Sequence, residues 1–84
     1  MEVVFMPDAE KDLVFWKSNK AVLKRITQLI RSIQQTPFAG IGKPELLKYQ
    51  LSGNWSRRIT LEHRIVYEVK DNKILIHSLR GHYL

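Results

Sequence analysis

The sequence lacks several features that would define a class of protein. It contains no cysteine, which excludes disulfides and thiolate metal sites and fits a reducing compartment. No apolar run approaches the roughly 18 residues that a transmembrane helix needs. The start EVVFMPDAEKD is too short and too acidic for a signal peptide. These absences, together with the lack of repeats and low-complexity tracts, predict a cytoplasmic globular protein without a membrane partner.

Acidic residues are scarce as well. The chain has 8 Asp and Glu against 14 Lys and Arg, which gives a net charge of +6 and a pI near 9.9. This excess favours a polyanionic partner, namely a nucleic acid, a nucleic-acid machine or an acidic protein. The alternative is a basic domain whose charge serves only its solubility.

The length limits the chain to one domain. Its 84 residues correspond to a single domain, 1–84, with an apolar share of 44% that is typical of globular proteins. A domain of this size has a small core. We therefore expect a homodimer or a bound partner to add stability, although no residue pattern defines an interface.

Two helices are predicted in the first half of the chain. A β-branched and aromatic stretch at 2–6 predicts a strand, and Pro7 is suited to the first turn of a helix after it. Ser18-Asn19 then offers an N-cap for a second helix, whose apolar residues recur at three- and four-residue steps over 22–33. Pro37 ends that helix. Because almost no loop joins the two helices, they should form a hairpin packed over a sheet.

The second half is rich in predicted strands. Strand-like runs occupy 55–61, 64–70 and 73–80, and Asp71-Asn72 is a two-residue connection typical of a tight hairpin. No crossover helix separates these strands, so they should be antiparallel. The sequence thus predicts an α+β fold, with an N-terminal strand and a two-helix hairpin on one face of a mainly antiparallel sheet.

Alternation along the strands assigns the side chains to two faces. Arg58 and Arg64 fall on the open face, away from the helices, where two guanidinium groups can hold phosphate oxygens. Arg57 falls on the apolar side, so we expect it at an edge or outside the site. His77 alternates with leucines and is predicted to be a core or edge histidine, and His63 is predicted to be structural.

Four stretches of the sequence resemble the YoeB-type toxins of the RelE/ParE superfamily: TPFAGIGKPELLK, LSGNWSRRI, EHRIVY and the terminal RGHY. The resemblance extends over essentially the whole chain, in length and in order. It implies a microbial-ribonuclease-like α+β fold, which agrees with the order of elements derived above.

The resemblance also implies a function. Toxins of this kind belong to type II toxin–antitoxin modules and are ribosome-dependent endoribonucleases that cut mRNA in the ribosomal A site. A YefM-like antitoxin holds them inactive by wrapping its C-terminal segment around the toxin. The implied partners are therefore this antitoxin and the ribosome, with its rRNA and A-site mRNA.

Six positions match motif residues of the family: Glu45, Lys48, Arg58, Arg64, His82 and Tyr83. RNA can be cut without a metal or cofactor when its 2′-OH attacks the adjacent phosphate, which requires a base, an acid and cations. The hypothesis is that Glu45 is the base, His82 the acid and Arg64 the main clamp on the transition state. Lys48 and Arg58 assist the clamp.

Two roles in this site stay open. Glu45 either acts alone as the base or shares this task with Lys48 or ribosomal RNA. Tyr83 either stacks on a base of the RNA or orients a phosphate through its hydroxyl.

Two other functions are compatible with the same fold. One is a ParE-like inhibitor of DNA gyrase that has no nuclease chemistry. The other is a non-catalytic RNA- or ribosome-binding domain, whose salt-dependent binding would survive substitution of Glu45 and His82.

Overall fold

The computed structural model describes residues 1–49 and 53–81. A five-stranded mixed sheet has the strand order β1-β5-β4-β3-β2, in which β1 runs parallel to β5 and the other neighbours are antiparallel. This confirms the predicted α+β fold. The elements are β1 (Glu2–Phe5), α1 (Pro7–Trp16), α2 (Lys20–Gln35), β2 (Glu45–Leu46), β3 (Trp55–Arg58), β4 (Arg64–Lys70) and β5 (Lys73–Ser78).

The helix boundaries follow from the residues at their ends. Pro7 occupies the first turn of α1, and Asp8 and Glu10 lie at its positive N-terminus. The side chain of Asn19 accepts a hydrogen bond from the backbone N–H of Val22 at the start of α2, as predicted for an N-cap. In the described residues, no helix combines the length and the apolar character needed to cross a membrane.

The strands differ from the prediction at their ends. β2 was not predicted because it has only two residues, too few for alternation to be visible. β3 ends at Arg58 rather than at 61, because the N–H groups of Ile59 and Thr60 both donate to the carbonyl of His63 in a turn. Leu61, the last residue of the predicted strand, lies in that turn and is 88% exposed.

The core lies between the helices and one face of the sheet. It contains the apolar face of α2 together with Ile65 and Tyr67 of β4 and Ile74 and Ile76 of β5, all of them buried. The indole N–H of Trp16 donates to the carbonyl of Leu79 at 2.9 Å and ties α1 to the chain beyond β5. One face of the sheet is thus covered by helices, and the opposite face is left for the site.

A β-bulge changes the alternation in β5. The register between β4 and β5 shifts between Val66 and Tyr67, so one residue of β5 is inserted there. As a result Leu79 lies in the core, whereas His77 contacts Glu68 at 2.8 Å. His77 is therefore paired, but it does not share a face with Leu79 as period-two alternation predicted.

Candidate active site

Glu45 is brought to the sheet by the short strand β2. Gly42 and Lys43 have positive φ values of 83° and 56°, and the chain enters β2 directly after them. In the antiparallel register Glu45 lies opposite Ser56 of β3. The Glu45 side chain is 44% exposed, so a ligand can reach its carboxylate.

Arg64 is the first residue of β4 and lies under this carboxylate. Its side chain is only 9% exposed, and its Nη2 is 3.6 Å from Oε1 of Glu45. Its Nη1 donates a hydrogen bond of 3.0 Å to Oγ of Ser56, which is fully buried between the two. The three side chains come from β2, β3 and β4, which are neighbours in the sheet. The sheet therefore assembles a carboxylate, a hydroxyl and a guanidinium from distant parts of the sequence.

Arg58 adds a second cation to this face. It pairs directly with Arg64 across β3 and β4, so both side chains project to the same face, as predicted. Arg58 is exposed, in contrast to Arg64. Lys48 is exposed beyond the end of β2 and makes no ion pair with the part of the chain that the structure describes. The structure thus brings Glu45, Arg64 and Arg58 together but does not join Lys48 to them.

Arg57 was expected at an edge or outside the site, and the edge position was wrong. It does point to the helix side of the sheet, but it is fully buried rather than at an edge. Its guanidinium donates to the hydroxyls of Ser32 and Tyr67 and to three backbone carbonyls of the loop after α2. No carboxylate of the described residues is paired with it. Neutral acceptors made this burial possible, and alternation alone could not reveal them.

The tyrosine that accepts from Arg57 is itself perturbed. Burial raises the pKa of the Tyr67 hydroxyl above its ordinary value of 10.0, while the hydrogen bond and charge of Arg57 act in the opposite direction. The hydroxyl donates in turn to the carbonyl of Pro37 at 2.7 Å. Tyr67 is thus a protonated link between β4 and the loop after α2.

The end of the described chain is held against the start of β4. The N–H of Arg64 donates to the carbonyl of Gly81, and the N–H of Gly81 donates to Nδ1 of His63. The ring of His63 also packs edge-on against Trp16. His63 is therefore structural, in agreement with its prediction. The predicted site residues His82 and Tyr83 lie outside the described residues.

The site contains groups suited to chemistry on a phosphate. A half-exposed carboxylate can accept a proton, and two neighbouring guanidinium groups can hold the oxygens of an anion. Ser56 was not singled out from the sequence, although its period-two relation to Arg58 placed it on this face. Within residues 1–49 and 53–81, no three His, Asp or Glu side chains are grouped as metal ligands would be.

Comparison with known proteins identifies the family. A family model described as YoeB-like toxin of bacterial type II toxin–antitoxin system matches residues 5–83. The chain belongs to this family. The toxin YoeB of Escherichia coli K12 is 46% identical over 84 residues, which cover 99% of this chain and all of the relative. The toxin RelK of Mycobacterium tuberculosis is 50% identical over 82 residues, which cover 96% of each chain.

Solved structures of YoeB-like toxins have the same fold. A YoeB/ParE toxin from Agrobacterium tumefaciens matches with a TM-score of 0.94 at 42% identity, over 99% of this chain and all of that one. The toxin in a YoeB–YefM complex from Staphylococcus aureus matches with a TM-score of 0.89 at 44% identity, over 99% of this chain and 98% of that one. A YoeB dimer from the same organism matches with a TM-score of 0.90 at 44% identity over the same shares. The predicted family and fold are both confirmed.

Proposed function

We propose that this YoeB-like toxin is a ribosome-dependent endoribonuclease that cleaves mRNA in the A site and so inhibits translation. The observation that carries the proposal is the placement of the Glu45 carboxylate 3.6 Å from the Arg64 guanidinium on the open face of the sheet. A base beside a phosphate-binding cation is the arrangement needed when a ribose hydroxyl attacks its own phosphate.

The reaction needs no group beyond the side chains and the RNA. The carboxylate of Glu45 takes the proton from the 2′-OH, whose oxygen then forms a bond to the adjacent phosphorus. The bond from phosphorus to the 5′-oxygen breaks, and His82 donates a proton to that leaving oxygen. The products are a 2′,3′-cyclic phosphate and a free 5′-OH. The assignment of His82 is supported by Gly81, the residue before it, whose carbonyl accepts a hydrogen bond from the N–H of Arg64.

The cations stabilise the charge that develops on the phosphoryl oxygens. Arg64 is the main clamp because Ser56 fixes its guanidinium, so little reorganisation is needed when the phosphate arrives. Arg58 lies beside it on the same face, and Lys48 assists from the exposed chain beyond β2. Tyr83 contributes stacking or a hydrogen bond to the RNA.

The proposed partners follow from the site and the charge. A YefM-like antitoxin would neutralise the toxin, as the complex from Staphylococcus aureus supports for a chain 44% identical. A net charge of +6 suits an acidic segment that folds on binding. The dimer of the Staphylococcus aureus protein supports a homodimer here. Action on ribosomes places the protein in the cytoplasm.

The test is to add the purified protein to translating ribosomes and to map mRNA ends by primer extension. Discrete A-site cuts are expected from the native protein, and Glu45→Gln or His82→Ala should reduce them by about 100-fold or more. An mRNA with 2′-deoxyribose at the scissile nucleotide should resist cleavage, and cutting of that substrate would exclude the mechanism. Blocked translation with intact mRNA would instead indicate a binding inhibitor. If translation were unaffected, gyrase supercoiling would be assayed.

A further inference from the structure

We propose that Arg57 is a positioning residue, which holds the loop 36–42 from inside the protein so that Glu45 is presented to Arg64. This inference rests on the proposed function, because it concerns the same carboxylate. Arg57 itself touches neither the open face nor a substrate, since it is fully buried on the helix side of the sheet.

The first argument is the number of bonds that one side chain directs to one loop. Nη2 of Arg57 donates to the carbonyls of Thr36 at 2.7 Å and Ala39 at 2.9 Å, and Nη1 donates to the carbonyl of Ile41 at 3.2 Å. The loop is exposed on its outer side, where Phe38 is 54% accessible. Its inward backbone is therefore held mainly by a charged donor, and such hydrogen bonds are stronger than those between neutral groups.

The second argument is that every donor of Arg57 is used. Nη1 also donates to Oγ of Ser32 at 2.7 Å, and Nε donates to the hydroxyl of Tyr67 at 3.1 Å. The guanidinium thus joins α2, β4 and the loop at one point. A buried arginine cannot lose its charge, so its position is determined by these acceptors together.

The third argument is the path from the loop to the site. The carbonyl of Gly42 accepts from the N–H of Arg58 at 2.7 Å, which fixes the loop against β3. Glu45 follows three residues later. Arg57 and Ser56 are neighbours in β3, so one strand directs Arg57 to the loop and Ser56 to the Arg64 guanidinium. Loss of the Arg57 contacts would let Glu45 shift relative to Arg64.

The loop is packed closely against Ser32 and Arg57 at Gly40. A Cβ atom added at Gly40 would lie 2.5 Å from Oγ of Ser32 and 3.1 Å from Nη1 of Arg57. Gly40 also has a φ of 124°, which a side chain disfavours. Gly40→Ala therefore disturbs the Arg57 contacts from the loop side, without changing any charge.

The experiment measures cleavage on programmed ribosomes for the native protein, Arg57→Lys and Gly40→Ala. Lysine keeps the charge but has three donors in place of five, so at least two acceptors lose their partner. We expect both variants to lower kcat by about 10- to 100-fold with KM nearly unchanged, because a displacement of about 1 Å in a catalytic group has an effect of this size.

A matched control separates positioning from general stability. Ile74→Val, or Ile74→Ala if a larger loss is needed, destabilises the core in β5, at the opposite side of the sheet from β2. The Ile74 variant whose loss of Tm equals that of Arg57→Lys should keep its kcat within about twofold of the native value. An equal loss of kcat in the control and in Arg57→Lys would overturn the inference.

Hydrogen exchange supplies a readout that does not depend on cleavage. The amide of Arg58 donates to Gly42, so its exchange with water should accelerate in Arg57→Lys while the amides of β4 and β5 keep their protection. Unchanged protection at Arg58 would overturn the inference. If Arg57→Lys does not fold, Gly40→Ala decides by the same two measurements. If the native protein did not cleave mRNA, the proposed function would be contradicted. The inference about Arg57 would still be tested, because hydrogen exchange at Arg58 reports on the loop independently of cleavage.

Discussion

Two arginines on opposite faces of the same sheet use their donors differently. Arg57 is buried on the helix side and donates to hydroxyl and carbonyl groups through Nε and both Nη atoms. Arg64 is nearly as buried on the open side, yet within the described residues its guanidinium has one hydrogen bond, to Ser56, and one ion pair of 3.6 Å, to Glu45.

The two arginines differ in how many of their donors are occupied by acceptors of the described protein. A guanidinium has five N–H donors, and burial makes each unused one costly. Arg57 offers nothing to a substrate because protein acceptors occupy its donors. Within the described residues, most donors of Arg64 have no protein acceptor. In the proposed reaction these donors bind the oxygens of the phosphate.

The largest expected effect is that of Arg64→Lys on cleavage. Lysine keeps the charge but loses the planar fork, so kcat should fall by about 100- to 1,000-fold. Thermal unfolding should change little by comparison. Arg31→Lys, the same substitution at an exposed position of α2, is the control and should cleave like the native protein. Native-like cleavage by Arg64→Lys would show that a positive charge is sufficient for cleavage and that the planar guanidinium is not required.

Arg57→Met should lower the stability of the protein far more than Arg64→Lys does. It leaves the hydroxyls of Ser32 and Tyr67 and the loop carbonyls without their donor, so urea unfolding should show a loss of about 3 kcal/mol or more. Arg31→Met is the control on the surface. A loss below about 1 kcal/mol would mean that water replaces the guanidinium and that the two arginines differ less than their contacts indicate.

Ser56→Ala should have a smaller effect on the open face. Its hydroxyl accepts from Nη1 of Arg64, and its removal frees the guanidinium to rotate toward Glu45. We expect kcat to fall by about tenfold, with a loss of about 1 kcal/mol in unfolding free energy. Ser18→Ala, in the exposed turn between the helices, should change neither quantity. Full cleavage by Ser56→Ala would show that Arg64 is positioned without this hydroxyl.

The smallest expected effect concerns pH and the tyrosine beside Arg57. Burial raises the pKa of Tyr67 above 10.0, so in alkaline solution the native state keeps a proton that the unfolded chain has lost. The contribution of the Tyr67 proton to the free energy of unfolding is therefore fully present below about pH 10. It decreases as the pH rises toward the pKa of Tyr67 in the native state.

The measurement is urea unfolding of the native protein and Tyr67→Phe at pH 8 and pH 10.5. Tyr67→Phe should be less stable than the native protein at pH 8, because Nε of Arg57 loses its acceptor. The difference in unfolding free energy between the two proteins should be smaller at pH 10.5, because only the native protein loses stability through Tyr67. Tyr49→Phe, at a residue that is 90% exposed, should show no such narrowing. A difference that widens with pH would contradict the direction of the shift.

Much of the fold was predictable from local patterns. The cap at Asn19, the apolar face of α2 and the hairpin at Asp71-Asn72 depend on a few neighbouring residues, and all were confirmed. The two-residue strand β2 and the bulge between β4 and β5 were missed. Both depend on pairing with another strand, which no window of the sequence displays.

The candidate site was predictable in composition but not in its contacts. Alternation placed Arg58 and Arg64 on one face, and the pairing of β3 with β4 confirms it. The contacts of Arg64 with Ser56 and with Glu45 join three strands and could not be seen from any one of them. The roles of Glu45, Lys48, Arg58, Arg64, His82 and Tyr83 all stay predictions, which rest on the family and on the proposed chemistry.

The sequence by itself determined the periods of the helices and strands, the excess of positive charge and the family, because each is a property of residue order. Alternation also placed Arg57 on the apolar side of the sheet and Arg58 beside Arg64 on the open face. Only the tertiary structure decided that Arg57 is fully buried there with all its donors satisfied. Its acceptors belong to a helix, a neighbouring strand and a loop that are distant in the sequence, so no local pattern around Arg57 reveals them before the sheet closes against the helices.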